Sequence, residues 1–130
     1  MQKDFDGWNE KKKQIDSRYA RLFFKQGEVW WVNLGLNIGF ETNGKGADFM
    51  RPVIVLKKYN QYSFLALPLS TSKHTNVYRI SVGIVDGKEA FANLSQMRNI
   101  DSKRLINKVC FVDNDLFVEI KKKANRVNFD

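Results

Sequence analysis

The feature that most limits what this chain can fold into is a series of short, apolar, β-rich runs set between turn signals across residues 27–112. Glu28-Val29-Trp30-Trp31-Val32-Asn33-Leu34 lies between Gly27 and Gly35. Branched and aromatic side chains suit a pleated, half-buried surface, so this run predicts a strand. Residues 38–49 carry Gly39, Gly44 and Gly46 among polar side chains and read as a mobile loop. Pro52-Val53-Ile54-Val55-Leu56 is the second strand, with Pro52 tolerated near its start. Residues 59–62 make a turn and 63–69 a third strand. Val77-Tyr78-Arg79-Ile80-Ser81-Val82 alternates apolar and polar residues, as a half-exposed strand does. Asp86-Gly87 signals a hairpin turn, and residues 90–94 and 106–112 supply two further strands. Segments this short and this closely linked cannot be separate domains. They call for a small curled sheet or barrel.

The two ends have a different period. Phe5, Trp8, Ile15, Tyr19 and Leu22 fall near one helical face, with Lys12 filling a gap, so an amphipathic helix is expected over residues 5–22. Asp4 or Asp6 is its expected cap. Lys11-Lys12-Lys13 reads as a solvated face or as an anion contact. A membrane-surface role is weakened by Asp4, Asp6, Glu10 and Asp16. Residues 113–123 have helical spacing through Leu116, Phe117 and Ile120, with Asp113 as cap and lysines near the end, where the helix dipole favours positive charge. The fold class is therefore mainly β with terminal helices. An extension over residues 1–25 is expected to precede a domain over 26–125.

Composition narrows the chemistry. At 130 residues the chain is near the size of one domain and buries roughly two-thirds of its extended surface. Apolar residues at 43% and charged residues at 28% exclude wholesale disorder. The net charge of +8, from 22 basic and 14 acidic residues, fits an acidic partner: nucleic acid, an acidic protein or an anionic surface. One cysteine, Cys110, cannot form an internal disulfide or a thiolate cluster. Within Val109-Cys110-Phe111-Val112 it reads as buried strand rather than nucleophile. One histidine, His74, cannot make a site with several imidazoles, and its polar surroundings place it in an exposed loop. Lys3, Asp4, Asp6 and Glu10 charge the N-terminus at once. No run approaches the roughly 20 apolar residues that span a bilayer. The expected setting is the cytoplasm, with no membrane contact and no metal.

Generic motifs are weak. Gly44-Lys45-Gly46 is only a short glycine-rich loop, and Thr71-Ser72-Lys73 offers hydroxyls beside a lysine without a base. On a strand, Trp30 and Trp31 point to opposite faces: one belongs to the core, and the other is open to an interface or a stacked base. One combination stands out. Glu41 lies in the loop, Arg51 immediately precedes a strand, and Ser70 ends the next one. Adjacent strands can bring such ends together. Arginine presents a planar set of donors suited to phosphate and to the charge that builds when a ribose 2′-hydroxyl attacks the neighbouring phosphodiester. Glu41 can move the proton and Ser70 can orient an oxygen. An ordinary surface loop remains the competing explanation of the same residues.

These residues are also where the sequence resembles the MazF/PemK family of toxin endoribonucleases. The likeness runs through Gly27-Glu28-Val29-Trp30-Trp31-Val32-Asn33-Leu34, Gly39-Phe40-Glu41 and Arg51-Pro52-Val53-Ile54-Val55-Leu56. It continues in Pro68-Leu69-Ser70-Thr71-Ser72, in Leu94-Ser95-Gln96-Met97-Arg98-Asn99-Ile100-Asp101-Ser102-Lys103-Arg104-Leu105 and in Asp113-Asn114-Asp115-Leu116, covering about residues 26–122. The resemblance implies a small SH3-like barrel of the CcdB/Kid/MazF toxin type, a homodimer that cuts single-stranded RNA without a metal or other cofactor and is restrained by a cognate antitoxin. It places Arg51 on the catalytic arginine, Ser70 on a hydroxyl position at the scissile phosphate and Glu41 on the acidic residue of the loop. Gln96 and Arg98 fall in a recurrent segment that supports the fold and the RNA groove; Thr71, Lys45, Lys73 and Ser95 complete the set expected to bind RNA or support that groove.

The chain departs from the family pattern at Ser95, often acidic, at Asn93, where some relatives carry arginine, at Phe40, and in a longer loop between Glu41 and Arg51. Two other readings follow. One is an inactive nucleic-acid-binding descendant; the other is a toxin-like module that binds a protein. The N-terminal segment lies outside the resemblance and is expected near a dimer contact or along a groove edge.

Overall fold

Residues 28–34, 52–56 and 63–69 lack strict alternation because the strands they form are buried on both faces. The computed structural model describes residues 3–39, 41–46, 48–72 and 76–130. Among them run β1 (Glu28–Asn33), β2 (Met50–Lys58), β3 (Ser63–Ser70), β4 (Arg79–Val85), β5 (Lys88–Asn93), β6 (Arg98–Asp101) and β7 (Leu105–Phe111). Helix α1 (Phe5–Asp16) precedes the strands and α2 (Asn114–Phe129) follows them. Every pairing is antiparallel, in the order β4-β5-β3-β2-β1-β7. The first half of β3 also pairs with β6. Register shifts between Val55 and Lys57 and within the β1–β7 pair bend the ribbon into a half-barrel.

Each central strand feeds two cores. Val29, Ile54, Leu56, Leu67 and Leu69 face α2, meeting its buried Ile120 and Ala124. Trp30, Val32, Val53, Val55, Phe64 and Ala66 face inward, with Phe24, Ile100 and Leu105. Trp30 is thus the core tryptophan of the pair, and Trp31 faces away from it, half-buried. Local chemistry shapes the turns. Asn60 Oδ1 accepts from the amides of Tyr62 (2.8 Å) and Ser63 (3.1 Å) between β2 and β3. Asp86 and Gly87 both take positive φ, 51° and 82°, as a two-residue β4–β5 turn requires.

Several boundaries differ from the sequence expectation. Helix α1 begins as read, with Asp4 Oδ1 accepting from Gly7 N (2.9 Å), but it ends at Asp16 rather than at residue 22. Tyr19 and Leu22 continue the apolar spacing yet are exposed, because the arginine preceding each of them is drawn elsewhere. Arg18 donates to the Lys103 carbonyl (2.7 Å) and to Asn33 Oδ1 (3.3 Å). Arg21 pairs with Asp101 and donates to Ser102 Oγ (2.8 Å). Asn33 and Ser102 are the buried polar side chains among the described residues, and the arginines supply donors to the buried acceptors Asn33 Oδ1 and Ser102 Oγ. Helix α2 continues to Phe129, beyond residue 123, and buries Ala124 as well as Ile120. Cys110 is half-buried rather than fully enclosed, and burial raises its thiol pKa. The strand read at 77–82 runs instead from Arg79 to Val85. Strand β6 had no counterpart in the sequence reading. His74 lies outside the described residues.

Candidate active site

Arg51 and Ser70 meet through the β2–β3 register. Val53 pairs with Pro68, and carrying that register two residues further sets Arg51 across from Ser70 on the same face. Both line a cavity of about 470 Å³, together with Lys45, Thr71, Lys88 and Trp31. The expected alignment of strand ends is therefore present for these two. Trp31 reaches the cavity because Trp31 and Pro52 pair across β1 and β2.

Two carbonyls fix the Arg51 guanidinium. Nη1 donates to the Leu69 carbonyl (2.9 Å), and Nε donates to the carbonyl of Asn43 in the β1–β2 loop. Nη2 has no hydrogen-bond partner among the described residues. Burial, and then the positive charge of Arg79, lower the Arg51 pKa from its ordinary value. Arginine keeps its proton regardless. The guanidinium is thus a desolvated cation beside another cation. An entering phosphate relieves both penalties. Ser70 Oγ accepts from Ser72 N (3.1 Å), which turns its hydroxyl hydrogen to other acceptors.

Glu41 does not line this cavity. Its Oε1 accepts from Ile38 N (2.8 Å), and its charge raises the pKa of Arg98, which burial lowers more strongly. Gln96 Oε1 accepts from Thr42 N (3.1 Å), so the segment after β5 ties down the residue next to Glu41. Ser95 and Gln96 line a smaller cavity of about 240 Å³ with Thr42, Arg79 and Asn93. Lys73 and Phe40 lie outside the described residues.

Two contributors carry no clear sequence signal. Asn43 acts through its backbone carbonyl, so its side-chain identity announces nothing. Arg79 looks like one polar residue of an alternating strand. Only its pairing with Asn93 on β5 reveals its position: Nε donates to Asn93 Oδ1 (2.9 Å) and Nη1 to the Ser72 carbonyl (2.9 Å). Among the described residues, no three His, Cys, Asp or Glu side chains gather as a set that could hold a metal ion. No helix among them is long and apolar enough to cross a membrane.

The half-barrel brings Lys45, Arg51 and Lys88, together with the carboxylate of Asp86, to one cavity at the ends of β2 and β3. A family profile described as PemK-like, MazF-like toxin of type II toxin–antitoxin systems matches residues 25–127, and the chain belongs to that family. Among solved structures, MazF from Deinococcus radiodurans superposes with a TM-score of 0.66 at 20% identity, covering 78% of this chain and 93% of that one. An endoribonuclease in complex with its cognate antitoxin, from a mycobacterial species, gives 0.62 at 14% identity, covering 81% and 95%. Mycobacterium tuberculosis toxin MazF-mt6 gives 0.60 at 10% identity, covering 76% and 93%. At these identities the likeness speaks for the fold alone. A search of curated protein sequences found no match.

Proposed function

We propose that this chain is an endoribonuclease acting on single-stranded RNA by attack of a ribose 2′-hydroxyl on the adjacent phosphorus. The new O–P bond forms as the bond to the 5′-oxygen breaks, leaving a 2′,3′-cyclic phosphate and a 5′-hydroxyl. The observation that carries this reading is Arg51. It is a half-buried guanidinium anchored on two backbone carbonyls, beside Ser70, in a cavity that also receives Lys45 and Lys88. Donors fixed before the reaction stabilise charge as it develops, without reorganising. Ser70 orients a non-bridging oxygen, and Trp31 offers a stacking surface to a base. Glu41 is the proton carrier proposed from the family resemblance; its carboxylate lies outside the cavity, bonded to Ile38 N, on the same loop as the Asn43 carbonyl that anchors Arg51. Gln96, Arg98, Thr71, Lys45, Lys73 and Ser95 are assigned to RNA binding or to support of the groove.

Within this reading residues 1–25 are an extension and 26–125 the barrel domain. A cognate antitoxin, a homodimer and a cytoplasmic site of action follow from family membership, as proposals. Incubating the purified protein with a long mixed-sequence RNA in chelator, and mapping both new ends, tests the mechanism. Cyclic phosphate and 5′-hydroxyl termini, lost in Arg51→Ala, are expected. Cleavage that needs a divalent metal and leaves a 5′-phosphate overturns it.

A further inference from the structure

Helix α1 lies outside the residues matched by the family profile, yet it packs on the loop between β1 and β2 that carries Glu41 and Asn43. Contacts from Trp8, Lys11 and, just before the helix, Lys3 hold it there. Trp8, 6% exposed, packs its ring against Phe49 with centroids 5.5 Å apart. Lys11 Nζ pairs with Asp48 Oδ1 (3.1 Å). Lys3 Nζ donates to the Asn37 carbonyl (2.5 Å). The indole sits so close to Gly35 that an added Cβ would lie 2.2 Å from Trp8 Cε2, and Gly35 takes a φ of +87°.

From Trp8 the contacts continue to the reacting guanidinium. Phe49 is a non-glycine residue at a φ of 55°, a conformation that surrounding structure must hold. Its carbonyl accepts from Leu34 N (2.9 Å) and Gly35 N (3.1 Å). Gly44 N donates to the Gly35 carbonyl (2.6 Å), and a Cβ on Gly44 would lie 1.8 Å from the Phe49 oxygen. Thus Gly35, Gly44 and Phe49 form one closely stacked knot at the base of the loop. Asn43, next to Gly44, supplies the carbonyl for Arg51 Nε. A second route joins Lys11 to Asp48, whose carbonyl accepts from Asn33 Nδ2 (2.7 Å), while Arg18 donates to Asn33 Oδ1 (3.3 Å).

We infer that α1 is a strap on the catalytic loop and that Trp8 is a positioning residue, acting through the knot of Gly35, Gly44 and Phe49 to set the Asn43 carbonyl that orients Arg51. The inference rests on the reading of Arg51 and this loop as the ribonuclease site. Removing the indole leaves Phe49 without its ring partner, and the loop gains freedom at its base. A displacement of about 1 Å at a reacting group costs up to about 10²-fold in rate. The strap therefore affects turnover more than affinity.

The test compares wild type, Trp8→Ala, Trp8→Phe and Lys13→Ala, the last altering an exposed residue of the same helix whose ion-pair partner is Glu10 (3.9 Å). Cleavage kinetics on an RNA substrate are read beside backbone amide exchange in each variant. Trp8→Ala should lower kcat by about tenfold or more, with KM within about threefold. It should speed exchange at Leu34, Gly35 and Gly44 while the amides of β2 and β3 stay protected. Trp8→Phe should recover most of the rate, and Lys13→Ala should match wild type. Unchanged exchange at those three amides in Trp8→Ala overturns the strap. Faster exchange with wild-type kcat overturns the positioning role. Loss of protection throughout the sheet assigns Trp8 to global stability and also overturns it. If wild type cleaves no RNA, the ribonuclease reading fails by itself, and amide exchange still decides the strap.

Discussion

Replacing Arg51 by lysine separates charge from geometry. The wild-type guanidinium donates through Nε to Asn43 and through Nη1 to Leu69, which fixes its plane in the cavity. A lysine ammonium keeps the charge but cannot hold both carbonyls and still present a fork to phosphate. Loss of one preorganised donor to a developing oxyanion costs about 10²–10³ in rate, or about 2.7–4 kcal/mol of barrier. Stability should respond much less. One orphaned, partly buried carbonyl costs about 1–3 kcal/mol. Moving a desolvated charge away from Arg79 offsets part of that loss, since burial and Arg79 both act against the native cation. The assay pairs single-turnover RNA cleavage with urea unfolding of Arg51→Lys and wild type. The expected result is a rate loss of at least about 10²-fold with an unfolding free energy within about 2 kcal/mol of wild type. Cleavage within about threefold of wild type would show that charge alone suffices, and the oriented-fork argument would then be wrong.

Other outcomes follow from the same geometry. Glu41→Gln can still accept from Ile38 N but cannot take up a proton, so turnover should fall by about 10²–10⁴ while RNA binding persists; wild-type turnover removes Glu41 from the mechanism. Ile120→Ala, at a fully buried position under the sheet, should cost about 2–5 kcal/mol in urea unfolding, and a loss below 1 kcal/mol would mean that α2 contributes little to the core. Acid should destabilise the fold through Glu28 and Asp101. Burial tends to raise both carboxyl pKa values, but hydrogen bonds from Trp30, Lys25 and Lys108 on Glu28, and from Arg21 and Lys103 on Asp101, leave both below the ordinary value. Their stabilisation is therefore present above the ordinary carboxylate range near pH 4 and is lost as pH falls through the lower native values. Glu28→Gln should flatten thermal stability against pH over that window, and an unchanged slope contradicts the assignment.

The central strands were legible because their reasons are local. Branched and aromatic runs between glycines, an Asp-Gly turn, and the Arg-Pro and Pro-Leu-Ser segments need no distant partner to be recognised. Strand β6 was not, since Arg98-Asn99-Ile100-Asp101 has one apolar side chain and owes its extended form to pairing with β3. Of the proposed site, Arg51 and Ser70 could be brought together in thought from two strand ends. That Glu41 faces Arg98, that Asn43 offers only its carbonyl and that Arg79 presses on Arg51 all depend on loop path and cross-strand register.

The amino-acid order by itself determined the β-rich class, the family, the cationic surplus and the start of each helix. Periodicity, turn chemistry and charge act within a few residues. Tertiary structure decided where α1 stops and what it does. The helical spacing through Tyr19 and Leu22 is real, but distant acceptors on Asn33, Asp101 and Ser102 engage Arg18 and Arg21 and leave those apolar side chains exposed. Trp8 looked like one more residue of an amphipathic face. Its partners, Gly35 and Phe49, are distant in sequence and meet it only when the half-barrel closes the loop beneath α1.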